Sequence, residues 1–173
     1  MTRHPLRLLL LPLLLALLPA CQNTIIAGGE GGVAGPDEAT MLAAALELDD
    51  RFLAAFNEGR STDIVSLFHR SPDTVLYAPE GPPLVGYDAI AAAWTEDMGP
   101  GGPQLSWLDH NAMVAGEYVI AWGTWRMTME TPGGTITSDG RFTSVAAERD
   151  GAWVYLIDHA SMPMGGGDEG APQ

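Results

Sequence analysis

The chain has 173 residues, with 22 acidic against eight basic side chains and a formal net charge of −14; every basic residue is an arginine. A surface this acidic repels nucleic acid and anionic lipid headgroups, which argues against both as partners. The single cysteine, Cys21, excludes an internal disulfide, and a lone thiol calls for an explanation of its own.

The N-terminus supplies one. Arg3 and Arg7 precede an apolar run from Leu8 to Leu18, the pattern of an export signal, too short to cross a bilayer core as a helix. Leu18-Pro19-Ala20-Cys21 then resembles the lipobox of bacterial lipoproteins, which has Leu three residues before the Cys and a small residue directly before it. That resemblance implies cleavage after residue 20, a lipid anchor on Cys21, and an exported protein held to a membrane by that anchor alone; the expected address is the outer membrane if the source has one. Residues 21–37 read as the anchor and a flexible glycine-rich linker, residues 38–164 as one domain, and residues 165–173 as a disordered polar tail.

The domain opens with a helix from Asp37 to Asn57, capped by Asp37 or Thr40 and ended by Gly59, with Leu42, Ala45, Leu46, Phe52, Leu53 and Phe56 on its apolar face. A short helix follows from Thr62, then a strand over Thr74–Ala78 and a loop over Pro79–Pro83. A third helix spans Asp88–Met98, with Ile90, Trp94 and Met98 four residues apart. Four strands remain: Gln104–Val114, Tyr118–Thr131, Thr135–Arg149 and Ala152–Ser161, with turns at Ala115-Gly116, Pro132–Gly134 and Asp150-Gly151. Helices first and an antiparallel meander after them predict an α+β fold with the helices on one face of the sheet.

Several segments, in this order, resemble the nuclear-transport-factor-2-like superfamily, and within it the SnoaL-like and ketosteroid-isomerase-like domains. They are Phe52–Gly59 at the end of the first helix, Asp73–Leu76, Gly86–Ile90, Gly116–Ala121, and Asp150–Trp153 leading into Asp158–Ser161. Arg60 departs from the aspartate common there. The resemblance implies a cone-shaped curved sheet whose concave face holds the helices, with a pocket between helix and sheet. It implies no single chemistry, because the superfamily holds isomerases, cyclases, dehydratases, epoxide hydrolases and non-catalytic binding domains, so function is argued from the site.

Asp49 stands in the middle of the first helix's apolar face. A carboxylate there either has a partner or gives up its charge; the reading is a pocket acid or a buried Asp paired with an arginine, Arg141 being the candidate on the sheet interior. On Tyr118–Thr131, Val119, Ala121, Gly123, Trp125, Met127 and Met129 form the face toward the helices; Ala121 and Gly123 leave volume for a pocket, or Gly123 permits curvature. Asp158 and His159 alternate on the last strand, so at most one points inward. Relatives that are enzymes place a carboxylate on the inner side of a late strand, which the resemblance carries to Asp158. Strand parity groups Trp107 with Asp109, and Tyr77 lies close to the helix layer. The candidate set is therefore Asp49 and Asp158 for acid–base chemistry, and Tyr77, Trp94, Trp107, Asp109, Trp125, Met127, Arg141 and His159 for ligand binding. No histidine spacing suggests a metal and no glycine-rich loop a nucleotide, so no cofactor is expected. The leading expectation is non-catalytic binding of a small apolar molecule. The rivals are a cofactor-free acid–base enzyme and an assembly module. Ile120 and Trp122, on the opposite sheet face, point to a homodimer.

Overall fold

A computed structural model describes residues 37–95 and 102–163, all within one compact unit, Ala34–Gln173. The signal segment, Cys21, the linker, Met98 and the tail lie outside the described residues. Helix α1 spans Glu38–Asn57, and the Asp37 carboxylate caps it by accepting from the Thr40 backbone N–H at 2.8 Å. Helix α2 is Ser61–Ser66, strand β1 Val75–Tyr77, strand β2 Leu84–Val85 and helix α3 Tyr87–Ala93. The long strands are β3 Gln104–Ala115, β4 Tyr118–Thr131, β5 Gly134–Arg149 and β6 Ala152–Ser161.

The six strands form one sheet in the order β2-β1-β6-β5-β4-β3. Every pairing is antiparallel except β1 on β6, where Leu76 lies beside Asp158. The α+β architecture and the meander agree with the sequence reading; β2, hidden behind a proline-rich loop, is an addition. The third helix is shorter than predicted and ends at Ala93, with Trp94 as its cap, although its inward residue, Ile90, is fully buried.

Helix α1 lies across the inner face of the sheet, but rotated from the predicted stripe. Met41, Ala45, Leu48, Asp49 and Ala55 are its buried residues, while Leu46 and Leu53 are half-buried on its flanks. The main core packs Leu48 and Ala55 of this helix against Ile64, Phe68, Leu76, Ile90 and Tyr155. A full apolar face of this kind fixes the helix against the sheet, at roughly 1.5–3 kcal/mol per large side chain buried. Asp49 is carried into the interior by that packing, with only 3 % of its surface exposed.

Two register shifts decide which strand residues face inward. In β3 the pairing with β4 slips between Trp107 and Asp109, leaving Leu108 as the extra residue. In β6 the pairing with β5 slips so that Tyr155 lies opposite Ala146 and Ile157 opposite Val145, with Leu156 between them. Each bulge puts two residues against one and reverses the alternation beyond it. Hence Trp107 and His110 both face in, as do Tyr155 and Asp158, whereas Asp109, Ile157 and His159 are exposed on the outer face.

Candidate functional site

Between α1 and the sheet lies a cavity of about 350 Å³. Phe52 and Phe56 line it from the helix, and Leu105, Trp107, Trp125, Met127 and Phe142 from the sheet. Trp94 closes one side, and Ala78, Pro79 and Glu80 form a rim. Aromatic rings make up much of the wall. Phe56 meets Trp94 edge to face at 6.4 Å, and Trp107 lies on Phe142 at 4.7 Å. Trp107 Nε1 is buried in that wall without a hydrogen-bond partner.

Against this apolar lining stand two carboxyl groups, Asp49 and Asp158, and one phenol, Tyr155. Asp49 Oδ1 accepts from the Tyr155 hydroxyl at 2.5 Å, and Asp49 Oδ2 lies 2.7 Å from His110 Nε2. Burial nonetheless raises the Asp49 pKa above the ordinary carboxylate value, because loss of hydration outweighs the two hydrogen bonds that favour its charge. Tyr155 is held well above its usual range, first by burial and then by the neighbouring Asp49 and Asp158 charges, so it stays a proton donor. Asp158 is half-buried on the cavity wall. Burial, then the charge of Asp49, push its carboxyl up to about 7. Its one stabilising contact is the backbone of His159; among the described residues no side chain hydrogen-bonds to it or pairs with it.

The structure thus brings Asp49, Asp158, Trp94, Trp107, Trp125 and Met127 to one cavity and places the other four candidates elsewhere. Arg141 sits opposite Thr124 on the outer face, exposed, so it is not the partner of Asp49. Asp109 is turned outward by the Leu108 bulge and accepts there from the Thr124 hydroxyl, not beside Trp107. Tyr77 and His159 stack edge to face at 5.9 Å on the outer surface, where parallel pairing with β6 sets them side by side. Gly123 leaves no empty volume either: a Cβ there would meet the Asp109 carbonyl oxygen at 2.1 Å and the Phe142 ring at 2.9 Å. The glycine serves the close approach of the bulged strand.

His110 and Tyr155 were not among the sequence candidates. A trace of the first bulge is present in the apolar pattern, which runs on odd positions at Leu105 and Trp107 and on even ones at Ala112 and Val114. That switch moves His110 inward. The second bulge leaves no comparable trace. Among the described residues no three His, Cys, Asp or Glu side chains are grouped to hold a metal.

A helix filling a curved six-stranded sheet, with an acid-floored cavity between them, defines the nuclear-transport-factor-2-like class of α+β domains. The model of the SnoaL-like domain matches residues 50–156, well over half of the chain, and the protein belongs to that family. Solved structures agree. A nuclear transport factor 2-like superfamily protein from Salmonella enterica serovar Typhimurium superimposes with a TM-score of 0.64 at 26% identity, over 77% of this chain and 99% of that one. A nuclear transport factor 2-like protein from Pseudomonas putida gives a TM-score of 0.61 at 19% identity, over 76% and 94%. A protein with a cystatin-like fold from Caulobacter vibrioides gives 0.59 at 22% identity, over 72% and 90%. The last two establish likeness of fold alone. No curated protein matches the sequence.

Proposed function

We propose that the SnoaL-like domain binds a small, largely apolar molecule in the helix–sheet cavity and moves a proton on it, as a cofactor-free acid–base enzyme of the isomerase, cyclase or hydratase type. One observation carries this reading: Asp158 stands in an apolar cavity with no side-chain partner among the described residues and a carboxyl pushed up to about 7, beside a second, fully partnered acid, Asp49. A non-catalytic pocket for an apolar ligand has no need of an unpartnered carboxyl, whereas a general base works best with a pKa close to the ambient pH. In this reading Asp158 takes a proton from an acidic C–H or O–H of the bound molecule and returns it elsewhere on that molecule. The Tyr155 hydroxyl proton is spent on Asp49, so the Trp107 Nε1–H, buried in the wall without a partner, is among the described residues the donor left for charge that develops on an oxygen. His110 orients Asp49 from behind and is a positioning residue.

The test is proton exchange. The protein is incubated in deuterated buffer with a panel of small cyclic ketones and hydroxy ketones, each with and without a cationic amino substituent, and deuterium uptake is followed by mass spectrometry. Uptake that disappears in Asp158→Asn, with binding retained, supports the enzyme. Binding without uptake across the panel returns the domain to the non-catalytic alternative.

Two further features of the working protein are proposals. The lipobox-like Leu18–Cys21 run supports a lipid anchor on Cys21 that places the domain on the outer side of a membrane. A homodimer through the outer sheet face is supported by an apolar row across five strands, Val75–Ile157–Val145–Ile120–Met113, beside Trp122, which is 39 % exposed. Arg126 and Asp139 neutralise each other on that face at 2.7 Å, so two copies of an otherwise acidic chain meet there with little repulsion.

A further inference from the structure

We infer that the molecule taken by this cavity carries a positive charge on an apolar body, as a protonated amine or a quaternary ammonium. The inference rests on the reading of the cavity as a binding site and adds the chemical class of its occupant. The lining has acids at its floor, Asp49 and Asp158, and a third at its exposed rim, Glu80, but among the described residues no arginine or histidine. A charge taken out of water is stabilised only by an opposite charge or by hydrogen bonds, and proteins normally provide that partner themselves.

Among the described residues the arginines are engaged or turned away. Arg60 pairs with Glu58 and Asp63, Arg126 with Asp139, and Arg149 with Glu117. Arg70 lies over the Tyr87 ring, and Arg141 is exposed on the outer face. Arg51 is exposed on α1 and reaches the site only as a weak field at Tyr155. His110, the one cationic candidate on β3, spends its Nε2 on Asp49. The groups bearing on Asp158 are therefore Asp49 from α1 and Tyr155 from its own strand, neither of them a cation.

The rest of the wall points the same way. Trp94, Trp107, Trp125, Phe56 and Tyr155 surround the space, and the electron-rich faces of such rings attract an organic cation, whose alkyl groups let it shed water more readily than a bare inorganic cation does. An anionic ligand meets three carboxylates and, among the described residues, no positive charge. A neutral apolar ligand fits the walls but leaves Asp158 either protonated or unpaired. A cation with an apolar body satisfies both the floor and the walls.

The experiment compares two probes of one shape, benzyltrimethylammonium and its uncharged carbon isostere neopentylbenzene, by quenching of tryptophan fluorescence on the intact domain. At pH 8.5 the cation is expected to bind about tenfold more tightly than the isostere, since it gains a desolvated charge pair and ring contacts. The preference should shrink at pH 5, where Asp158 is protonated, and in Asp158→Asn at pH 8.5. The fixed charge of the probe means that only the protein titrates. Equal affinities at pH 8.5, or a preference unchanged both at pH 5 and by the substitution, overturn the inference and leave the cavity a site for neutral molecules. If neither probe binds, the reading of the cavity as a binding site fails with it. Should Asp158→Asn not fold, the pH dependence of the unaltered protein decides the matter alone.

Discussion

Replacing Asp158 by Asn is expected to stabilise the protein at alkaline pH and to do little at acid pH. In the unfolded chain this carboxyl ionises at the ordinary value for Asp; in the folded protein it holds its proton up to about 7. Between these two pH values the folded state binds more protons than the unfolded one, so stability falls as pH rises through that window and is flat above it. The interval is about three pH units, and at 1.36 kcal/mol per unit the cost of keeping Asp158 charged at pH 8 comes to ~4 kcal/mol, an upper figure because the group is half-buried. Asn keeps an oxygen to accept from the His159 backbone and removes the charge that is both desolvated and repelled by Asp49. Urea unfolding of the two proteins at pH 4 and pH 8 measures the difference directly, with an unchanged denaturant slope as the control. A midpoint gain at pH 8 that vanishes at pH 4 is the expected result. No gain at pH 8 refutes the placement of an unpartnered charge at this position. An equal gain at both pH values shows that the effect is packing.

The remaining predictions concern the parts that hold Asp158 in its setting. Asp49→Asn should lower the midpoint of the Asp158 titration, followed by carboxyl-carbon NMR, because the Asp49 charge is the second cause of its elevation; it should also cost about 1–3 kcal/mol, since the new amide cannot accept from both Tyr155 and His110. Gly140→Ala should destabilise by roughly 1–3 kcal/mol and disturb the cavity wall, because a Cβ there falls 2.1 Å from the Trp125 ring; a calorimetric scan and the Trp125 indole signal test it. Ile157→Asp, on the exposed row of the outer face, should convert a sedimenting dimer to monomer without loss of fold; a wild-type protein that sediments as a monomer at high concentration removes the dimer. Cys21→Ser should abolish lipid labelling and release the protein from membranes, and an unmodified Cys21 in the mature native protein ends the anchor proposal.

The order of helices and strands was legible because each depends on local signals: the cap at Asp37, the glycine turns, and the alternation of Tyr118–Thr131. Asp49 was legible as well, being a charged residue in the middle of an apolar helical stripe, although the exact stripe was off by a fraction of a turn. The error has a physical source. Leu46 and Leu53 satisfy the helical period as well as Leu48 and Ala55 do, and only the shape of the sheet selects between them. Inward-facing strand residues were legible only up to each bulge. Counting by twos from Trp107 puts Asp109 in the cavity and His110 outside it, and the extra residue Leu108 reverses both. For Asp158 and His159 parity alone left the choice open, and the resemblance to enzymes of the fold inclined it to Asp158. Arg141 was misplaced because β5 offers no clean alternation of its own; its face is set by pairing with Thr124.

The two bulges are also what makes a site of these residues. A regular β6 that kept Tyr155 inward would aim Asp158 at solvent, where it would titrate as an ordinary surface acid. A regular β3 that kept Trp107 inward would take His110 away from Asp49 and leave that carboxylate with one hydrogen bond in an apolar interior. Each irregularity costs ladder hydrogen bonds, and the arrangement it secures costs more, because a desolvated and unpartnered Asp158 lowers stability at neutral pH. An apolar side chain at position 158 would be the more stable solution for a domain that only had to fold or to dimerise. An acid there, in a cavity whose described residues supply its charge with no cation, is expected of a protein whose ligand completes the site, and stabilisation of the wild type by benzyltrimethylammonium should therefore be greatest at the pH where Asp158 is ionised.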